Sequence, residues 1–268
     1  MEQLQSALSQ TLEEEIESID FFTKGQIGDI YKVETSTNTY ILKTSEPSSN
    51  LQIEASMLED INKYKIAAPK VYDVTERHLL MEYIVSTKQA KCAEEIAAAK
   101  VLSDLHSVTN ESRMYGYYYD TTIASFSQKN EQTQYNWTLF LGQMRIMPMA
   151  RICYDKGHMG KETVERLELL CRDMYTRIDM AKITPSLLHG DLWSGNILFH
   201  KQGATLIDPA ISFGDTFFES YTEVHPLSED FYKVKVPLYQ IYPLLVNVAL
   251  YGGSYSVQLE QLLKRLKV

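Results

Sequence analysis

Apolar residues recur at Leu4, Leu8, Leu12, Ile16 and Ile19, the spacing of one helix face, so the pattern predicts a helix over the first stretch. The period then changes. Residues 20–44, DFFTKGQIGDIYKVETSTNTYILKT, mix β-branched and aromatic residues with Gly25, Gly28 and a turn-like TSTN, which predicts three antiparallel strands with a glycine-containing turn between the first two. SSNLQIEASMLEDINKY opens with serine caps and sets Leu51, Ala55, Leu58 and Ile61 on one face, a second helix. KVYDVTERHLLMEYI predicts two more strands, the second ending at Met81 to Ile84.

From Lys88 the pattern is mostly helical. AEEIAAAKVLSDLHSV has Ile96, Val101, Leu102 and Leu105 in register, and a Tyr- and Thr-rich loop, MYGYYYDTTIASFS, follows it. YNWTLFLGQMRIMPMARICYDKG and KETVERLELLCRDMYTRI predict two further helices, and short strands are expected near Ile197–Phe199 and Thr205–Ile207. The C-terminal stretches SEDFYKVKVPLYQIYPLLVNVALYG and YSVQLEQLLKRLKV read as helix again, with kinks expected at Pro237 and Pro243. The outline is α+β and bilobal: a small antiparallel-sheet N-lobe over residues 1–84, a hinge near Met81–Val85, and a larger, mainly helical C-lobe over residues 85–268.

Composition narrows the function class. A formal net charge of −9 argues against non-specific nucleic-acid binding, which relies on basic surface, but leaves room for an anionic small ligand in a locally positive cleft. The acidic amphipathic N-terminus lacks the basic region and apolar core of a signal peptide. YQIYPLLVNVALYGG is too short to span a bilayer and contains Pro243, so it reads as a buried helix, and no membrane partner is expected. Cys92, Cys153 and Cys171 lie far apart with no C-x-x-C, which suggests neither zinc site nor disulfide framework and fits a reducing, cytoplasmic setting.

The candidate chemistry lies in LLHGDLWSGNILF, residues 187–199, and ATLIDPA, residues 204–210. Each sets a carboxylate beside a greasy, strand-like run, where an unpartnered charge is costly. In an H-x-D-x-x-x-x-N arrangement the Asp accepts a proton from an attacking hydroxyl, and the Asn amide oxygen serves a hard divalent cation. His189, Asp191 and Asn196 have this form, and Asp208 after the next short strand completes an oxygen set suited to Mg²⁺. An isolated H-G-D reads better as a turn whose Asp caps a backbone group. Asn196 at the right offset, followed by a strand and Asp208, reverses that preference in favour of phosphoryl transfer. Lys43 in YILKT is placed to hold the α- and β-phosphates of ATP, and Glu54 on the following helix to orient it. Taken singly, a strand Lys is usually an edge residue and a helix Glu is usually solvated; their order before the hinge is what favours the pair. Gly25 and Gly28 either let the backbone approach the phosphates or form a plain hairpin turn, since KGQIGD is not a full G-x-G-x-x-G and no Walker A motif is present. Met81, Glu82, Tyr83 and Ile84 would meet adenine if LLMEYI is the connection between lobes, main-chain groups of Glu82 and Ile84 doing the recognition; the alternative is a buried strand end with Met81 as core filling.

With these residues in view, the chain resembles the protein-kinase-like fold of small-molecule kinases and, more narrowly, the fructosamine kinase (ketosamine-3-kinase) family. The narrower resemblance rests on LLHGDLWSGN, with Trp193 following Asp-Leu, and on IDPAISFGD, where Pro209 and Ala210 replace the F-G of protein kinases. Looser agreement runs through KGQIGDIYKV, EASML, LLMEYI, LSDLHS, NWTLFLGQMRIMP and LYQIYPLLVNVALYGGSY, covering the chain from about Phe21. The resemblance implies ATP-dependent phosphorylation of the sugar 3-hydroxyl of a ketosamine, whose product then releases its amine, so that the family acts in deglycation. It implies Asp191 as catalytic base, Asn196 and Asp208 as magnesium ligands, Lys43 and Glu54 as the phosphate-binding pair, and His189 as a loop-shaping residue. Trp193 would lie beside the substrate sugar, or else anchor the loop in the core. Asp215 would fix a loop or face the substrate, and Trp137 and Arg145 lie in the helical segment the family uses near its acceptor, with a core position and a surface salt bridge as their alternatives.

One departure bears on the acceptor. After F-G-D the family usually continues with Arg-Glu and then an Asp, whereas GDTFFESY keeps Asp215 but has Thr216 and Phe217, with Glu219 in place of the later Asp. The resemblance implies a glycated amine or other small molecule as the partner, the altered neighbours bear on which one rather than on phosphotransfer, and a related kinase acting on an aminoglycoside, choline or another amino alcohol is the runner-up. A catalytically inactive pseudokinase is disfavoured by the joint retention of Lys43, Glu54, Asp191, Asn196 and Asp208.

Overall fold

The computed structural model describes residues 2–25, 28–47, 50–130, 135–179, 183–216 and 231–268. It divides into two units, Met1–Leu105 with Thr121–Ser127 and His189–Ile211, and His106–Asp120 with Gln128–Leu188 and Ser212–Val268.

The first unit is built on a five-stranded sheet. Helix α1 (Glu2–Leu12) leads into β1 (Ile16–Lys24), β2 (Asp29–Thr35) and β3 (Thr39–Thr44); α2 (Leu51–Lys63) follows, then β4 (Val71–Val74) and β5 (His78–Glu82). The strands lie in the order β1-β2-β3-β5-β4, every pair antiparallel. The first helix is shorter than the apolar spacing predicts. It ends at Leu12, Glu13 takes a left-handed backbone conformation with φ 55°, and Ile16 and Ile19 belong to β1. Residues three apart point to opposite faces of a regular strand, but a register shift between Ile16 and Ser18 re-aims the chain. Leu8, Ile16, Val33, Tyr40, Leu42 and Leu80 thereby form one buried cluster, with Leu4, Leu12, Ile19 and Tyr31 packed against it. The same five apolar positions thus serve a helix and a strand on one core.

Helix α2 starts at Asn50 rather than at a serine. Asn50 sits at φ 60° and makes no side-chain cap, and its carbonyl accepts from the N–H groups of Ile53 and Glu54; Ser48 and Ser49 lie outside the described residues. The buried face of α2 carries Leu51, Ala55, Leu58 and Ile61 as expected, and also Glu54. Helix α3 (Lys91–Ser107) buries Val101, Leu102 and Leu105 but leaves Ile96 exposed. The Tyr- and Thr-rich segment expected to be loop contains a hairpin, β6 (Thr121–Ile123) with β7 (Phe126–Gln128).

In the second unit α4 (Trp137–Phe140), a π-helical turn (Leu141–Ile146) and α5 (Met147–Asp155) form one continuous run, followed by α6 (Lys161–Asp173). The short strand β8 (Pro185–Leu188) comes next; β9 (Ile197–His200) and β10 (Gly203–Leu206) form a hairpin in the first unit, and β11 (Ser212–Asp215) pairs antiparallel with β8. A π-helical turn (Phe231–Lys235), α7 (Val236–Tyr239), α8 (Ile241–Tyr251) and α9 (Ser254–Arg265) end the chain. Pro237 is the second residue of α7, directly after the π-helical turn, and Pro243 the third of α8, directly after the break at Gln240, so the helical run changes character just before each proline. No described helix is long and apolar enough to cross a membrane.

The placement of α1 makes a testable statement. Leu8 is fully buried against the sheet, so Leu8→Ala should lower unfolding free energy by about 2–4 kcal/mol in urea denaturation, the range for emptying a core leucine site. A loss below about 0.5 kcal/mol, typical of surface changes, would show that α1 is not integral to this core.

Candidate active site

The site grows from β3. Tyr40 and Leu42 point into the buried cluster, so Lys43 emerges on the opposite face of the strand, in register with Ile30 of β2 and Leu79 of β5. There Lys43 Nζ meets Glu54 Oε1 of α2 at 2.6 Å, and it also donates to Asp208 Oδ1. Burial alone would lower the Lys43 ammonium, but the Glu54 and Asp208 carboxylates outweigh it and hold it above the ordinary lysine value. Burial raises the Glu54 carboxyl, with Lys43 opposing. Desolvation would raise Asp208 as well, yet the Lys43 ammonium overrides it and holds that carboxyl low.

Asp191, Asn196 and Asp208 reach the same place through a stitched pair of segments. The Ala210 N–H donates to the His189 carbonyl at 2.8 Å and the Ile207 N–H to the Asn196 carbonyl at 3.1 Å. His189, buried, donates from Nε2 to the Ile207 carbonyl at 2.9 Å, while its Nδ1 has no hydrogen-bond partner. Burial pushes the imidazole down to about 4, so His189 is neutral at pH 7 and acts as a brace between the segments. Gly190 is obligatory at φ 82°, since a Cβ there would lie 2.0 Å from the Ala210 carbonyl oxygen. Asp208 sits at φ 53°, a conformation a non-glycine residue holds only where its surroundings demand it.

The polar ends of these side chains are sorted. Asn196 donates from Nδ2 to the Asp191 carbonyl at 2.7 Å, which leaves its amide oxygen as the end available to a ligand. Desolvation raises the Asp191 carboxyl, the nearby charge of Asp208 raises it further, and Asn196 only partly compensates. Two carboxylates that disfavour each other's charge, with an amide oxygen beside them, form a donor set for a hard oxygen-seeking cation such as Mg²⁺. Among the described residues no group of three or more His, Cys, Asp or Glu side chains gathers as a metal site.

A cavity of about 390 Å³ in the first unit is lined by Lys43, Glu54, Asp191, Asn196 and Asp208, with Gly25 and Gly28 on its rim-forming turn. The Gly25 N–H donates to the Gly28 carbonyl at 2.8 Å, and a Cβ on Gly28 would lie 1.9 Å from the Thr44 carbonyl oxygen, so Gly28 lies hard against the end of β3. Trp193 also lines the cavity. It is 61% exposed and not a core anchor; its ring leans over Gly195, whose Cβ would fall 2.3 Å from the indole. Thr122, Ile123 and Ala124 of the β6–β7 hairpin line the cavity too, and sequence reasoning passed over them because TTIAS carries no motif and its strands are three residues long.

Other expected residues lie elsewhere. Met81 is buried in β5 and Met81–Ile84 do not line the cavity. The Glu82 N–H is committed to the Lys70 carbonyl at 2.8 Å, and the Tyr83 ring meets Phe22 edge-on and Lys32 across 5.5 Å. In the second unit Trp137 is buried against Phe140 and Tyr115, and its Nε1 donates to the Tyr239 hydroxyl at 3.0 Å. That hydroxyl donates to Asp215, which is itself buried and also takes Lys235 Nζ at 3.2 Å. Arg145 is buried rather than in a surface ion pair; it donates to the Lys129 carbonyl at 2.8 Å and to Asn130 Oδ1, over the Phe140 ring. Asp215, Trp137 and Arg145 are thus interior residues and none lines the cavity. Glu219, Phe217 and Phe218 lie outside the described residues.

This arrangement pairs with clear kinship. A protein named "Probable ketoamine kinase" in Enterococcus faecium is 28% identical over 263 residues, covering 90% of this chain and 92% of its own. "Protein-ribulosamine 3-kinase, chloroplastic" of Oryza sativa subsp. indica is 30% identical over 204 residues, covering 66% of this chain and 55% of its own. A crystal structure from Thermobifida fusca, provisionally assigned as a fructosamine-3-kinase, superposes with a TM-score of 0.85 over 100% of both chains at 23% identity. A mutant aminoglycoside phosphotransferase in ternary complex with ADP and hygromycin B superposes at TM-score 0.63 over 98% of each chain with 10% identity. These two likenesses are of fold, the protein-kinase-like fold. The family model described as fructosamine kinase matches residues 1–268, and the chain belongs to the fructosamine kinase family.

Proposed function

We propose that this protein is an ATP-dependent ketosamine kinase that phosphorylates the 3-hydroxyl of a fructosamine or ribulosamine, the step that begins deglycation. The observation that carries the reading is the convergence of Lys43, Glu54, Asp191, Asn196 and Asp208 on one cavity in a member of the fructosamine kinase family. Kinship to proteins named ketoamine kinase and protein-ribulosamine 3-kinase favours a ketosamine over an aminoglycoside, to whose kinases the likeness is one of fold alone. The free cysteines accord with a reducing, cytoplasmic setting.

In this reading Lys43, oriented by Glu54, holds the α- and β-phosphates, and the turn from Gly25 to Gly28 brings backbone close to them. Asp191 accepts the proton of the attacking sugar hydroxyl as its oxygen bonds to the γ-phosphorus and the bond to the β-phosphate oxygen breaks, releasing ADP. A carboxyl raised by burial is a better proton acceptor than an ordinary surface aspartate. Asn196 and Asp208 would hold magnesium, which supplies charge neutralisation for the phosphates. His189 and the Asn196 amide keep the loop in shape, and Trp193 offers an aromatic face to the sugar. Adenine would meet the main chain of the stretch Met81, Glu82, Tyr83 and Ile84 beyond this cavity, with the Glu82 N–H already committed to the Lys70 carbonyl. Residues 1–84 would act as the nucleotide-binding lobe and residues 85–268 as the lobe of the catalytic loop and acceptor. Asp215, Trp137 and Arg145 would hold the interior of the second unit in shape rather than touch the acceptor.

The test is Mg²⁺-dependent ATP consumption by the purified protein across ribulosyl-lysine, fructosyl-lysine, choline and an aminoglycoside. Turnover with a ketosamine and none with choline or the aminoglycoside is expected. Asp191→Asn should cost about 10²–10⁴-fold in kcat, the worth of a positioned base, with little change in KM for ATP. Near-normal turnover by that variant would remove Asp191 from the role.

The pH dependence follows from the direction of the Asp191 shift. As pH falls through its raised pKa the carboxylate gains a proton and can no longer accept one, so kcat/KM should fall on the acid side at a midpoint above the ordinary aspartate value of about 3.9. A profile flat down to that value would mean that this carboxyl does not titrate in the rate-limiting chemistry.

A further inference from the structure

We infer that the tip of the β6–β7 hairpin is the acceptor-side wall of the cavity and sets the size of sugar that reaches Asp191. The inference rests on the ketosamine-kinase reading and deepens it by naming what selects among ketosamines.

The hairpin turns through two residues, Ala124 and Ser125, and Thr122, Ile123 and Ala124 line the same cavity as Asp191 and Trp193. Thr122 and Ile123 are buried and β6 packs against α2, the helix that carries Glu54, so the wall is braced rather than free to swing. Its tip is strained. Ala124 holds φ 48°, in the left-handed region that disfavours a side chain and that a glycine adopts freely. Strain of this kind persists where the surroundings over-determine the backbone, and it collects at ligand-facing sites. An alanine there keeps a methyl group on a turn whose backbone glycine would fit better.

The chemistry of the tip points to the acceptor rather than the nucleotide. Phosphate oxygens require cations or N–H donors, and in this cavity Lys43 supplies the cation. The hairpin offers instead a hydroxyl, an aliphatic chain and a methyl. The exposed indole of Trp193, propped on Gly195, gives a second apolar surface in the same cavity. A sugar, with C–H and O–H groups along one chain, suits such a pair of surfaces; a polyphosphate does not. Ketosamines of five and six carbons differ by one hydroxymethyl group, and a change of about one methylene in a pocket is worth roughly 10–200-fold in discrimination.

The experiment compares kcat/KM for fructosyl-lysine and ribulosyl-lysine in the wild type, Ala124→Gly and Ala124→Asn, with KM for ATP measured alongside. Both replacements tolerate a left-handed backbone, so folding is retained while the wall recedes in one and advances in the other. The ratio of six- to five-carbon turnover should rise about threefold or more in Ala124→Gly and fall in Ala124→Asn, less than the full methylene range because the Trp193 side of the cavity is exposed. KM for ATP should stay within about twofold of wild type, since the tip carries none of the phosphate-type donors. An unmoved sugar ratio in both variants overturns the inference, and so does a shift in KM for ATP at constant ratio, which would make the tip a nucleotide wall. A wild-type protein that turns over no ketosamine overturns the functional reading first and takes this inference with it.

Discussion

One buried lysine holds the catalytic parts of the first unit in a common frame. Lys43 Nζ joins Glu54 of α2 and Asp208 of the segment after β10, so a strand, a helix and a loop share a single cation. Taking the lysine and Glu54 out of water is expensive, and the pair is stable only because each satisfies the other at close range. Deleting one partner of such a pair typically costs about 3–5 kcal/mol, because the charge left behind has no water to turn to. The electrostatics are also directional. Lys43 is met by Glu54 and Asp208, and Asp191 lines the same cavity, so one cation is set against three carboxylates and negative charge is in excess at the end where a divalent cation is at home.

Backbone contacts make that frame precise enough for chemistry. Gly190, Gly195 and Gly28 each stand where a side chain would collide, with the Ala210 carbonyl, the Trp193 ring and the Thr44 carbonyl respectively. Their work is to permit close approach, and each approach fixes a functional neighbour: the Asp191 loop, the indole and the turn over the cavity. His189 adds a neutral brace whose hydrogen bond to Ile207 sets the spacing between Asp191 and Asp208 along two different segments. Its low pKa is part of that role, because a protonated imidazole would add a second cation near Asp208, besides Lys43, and weaken the claim of Asp208 on any metal.

The parts of this site that could be read from the sequence are those set by short-range spacing. His189, Asp191 and Asn196 lie within eight residues, and Asp208 follows one short hairpin, so local geometry leaves few ways to separate them. Lys43 and Glu54 were legible by order alone, and the structure joins them through strand alternation and the buried face of α2. What failed did so for physical reasons. The run from Leu4 to Ile19 satisfies a helical period throughout, yet a left-handed Glu13 and a bulge divide it between helix and strand while keeping every apolar residue on one core. The β6–β7 hairpin has strands too short to show a period, and its stability comes from packing on α2, which no local pattern announces. Trp137 and Arg145 illustrate the opposite error: rare, chemistry-bearing residues whose polar groups are consumed inside their own unit.

These contrasts separate two kinds of constraint on one cavity. Phosphoryl transfer requires fixed charges at fixed separations, and every charged group that lines the site and engages Lys43 is held by at least one further contact or a strained backbone. Recognition of the acceptor requires shape, and the groups available for it are uncharged: an exposed indole, a methyl on a strained turn, a hydroxyl and an aliphatic chain. Charge placement tolerates almost no substitution, because a misplaced carboxylate loses both its partner and its solvent. A shaped wall tolerates much more, since one methyl group changes its reach without unbalancing any charge. The chemistry and the choice of sugar can therefore be altered independently in this fold, and the sequence signature of the first is strong where that of the second is faint.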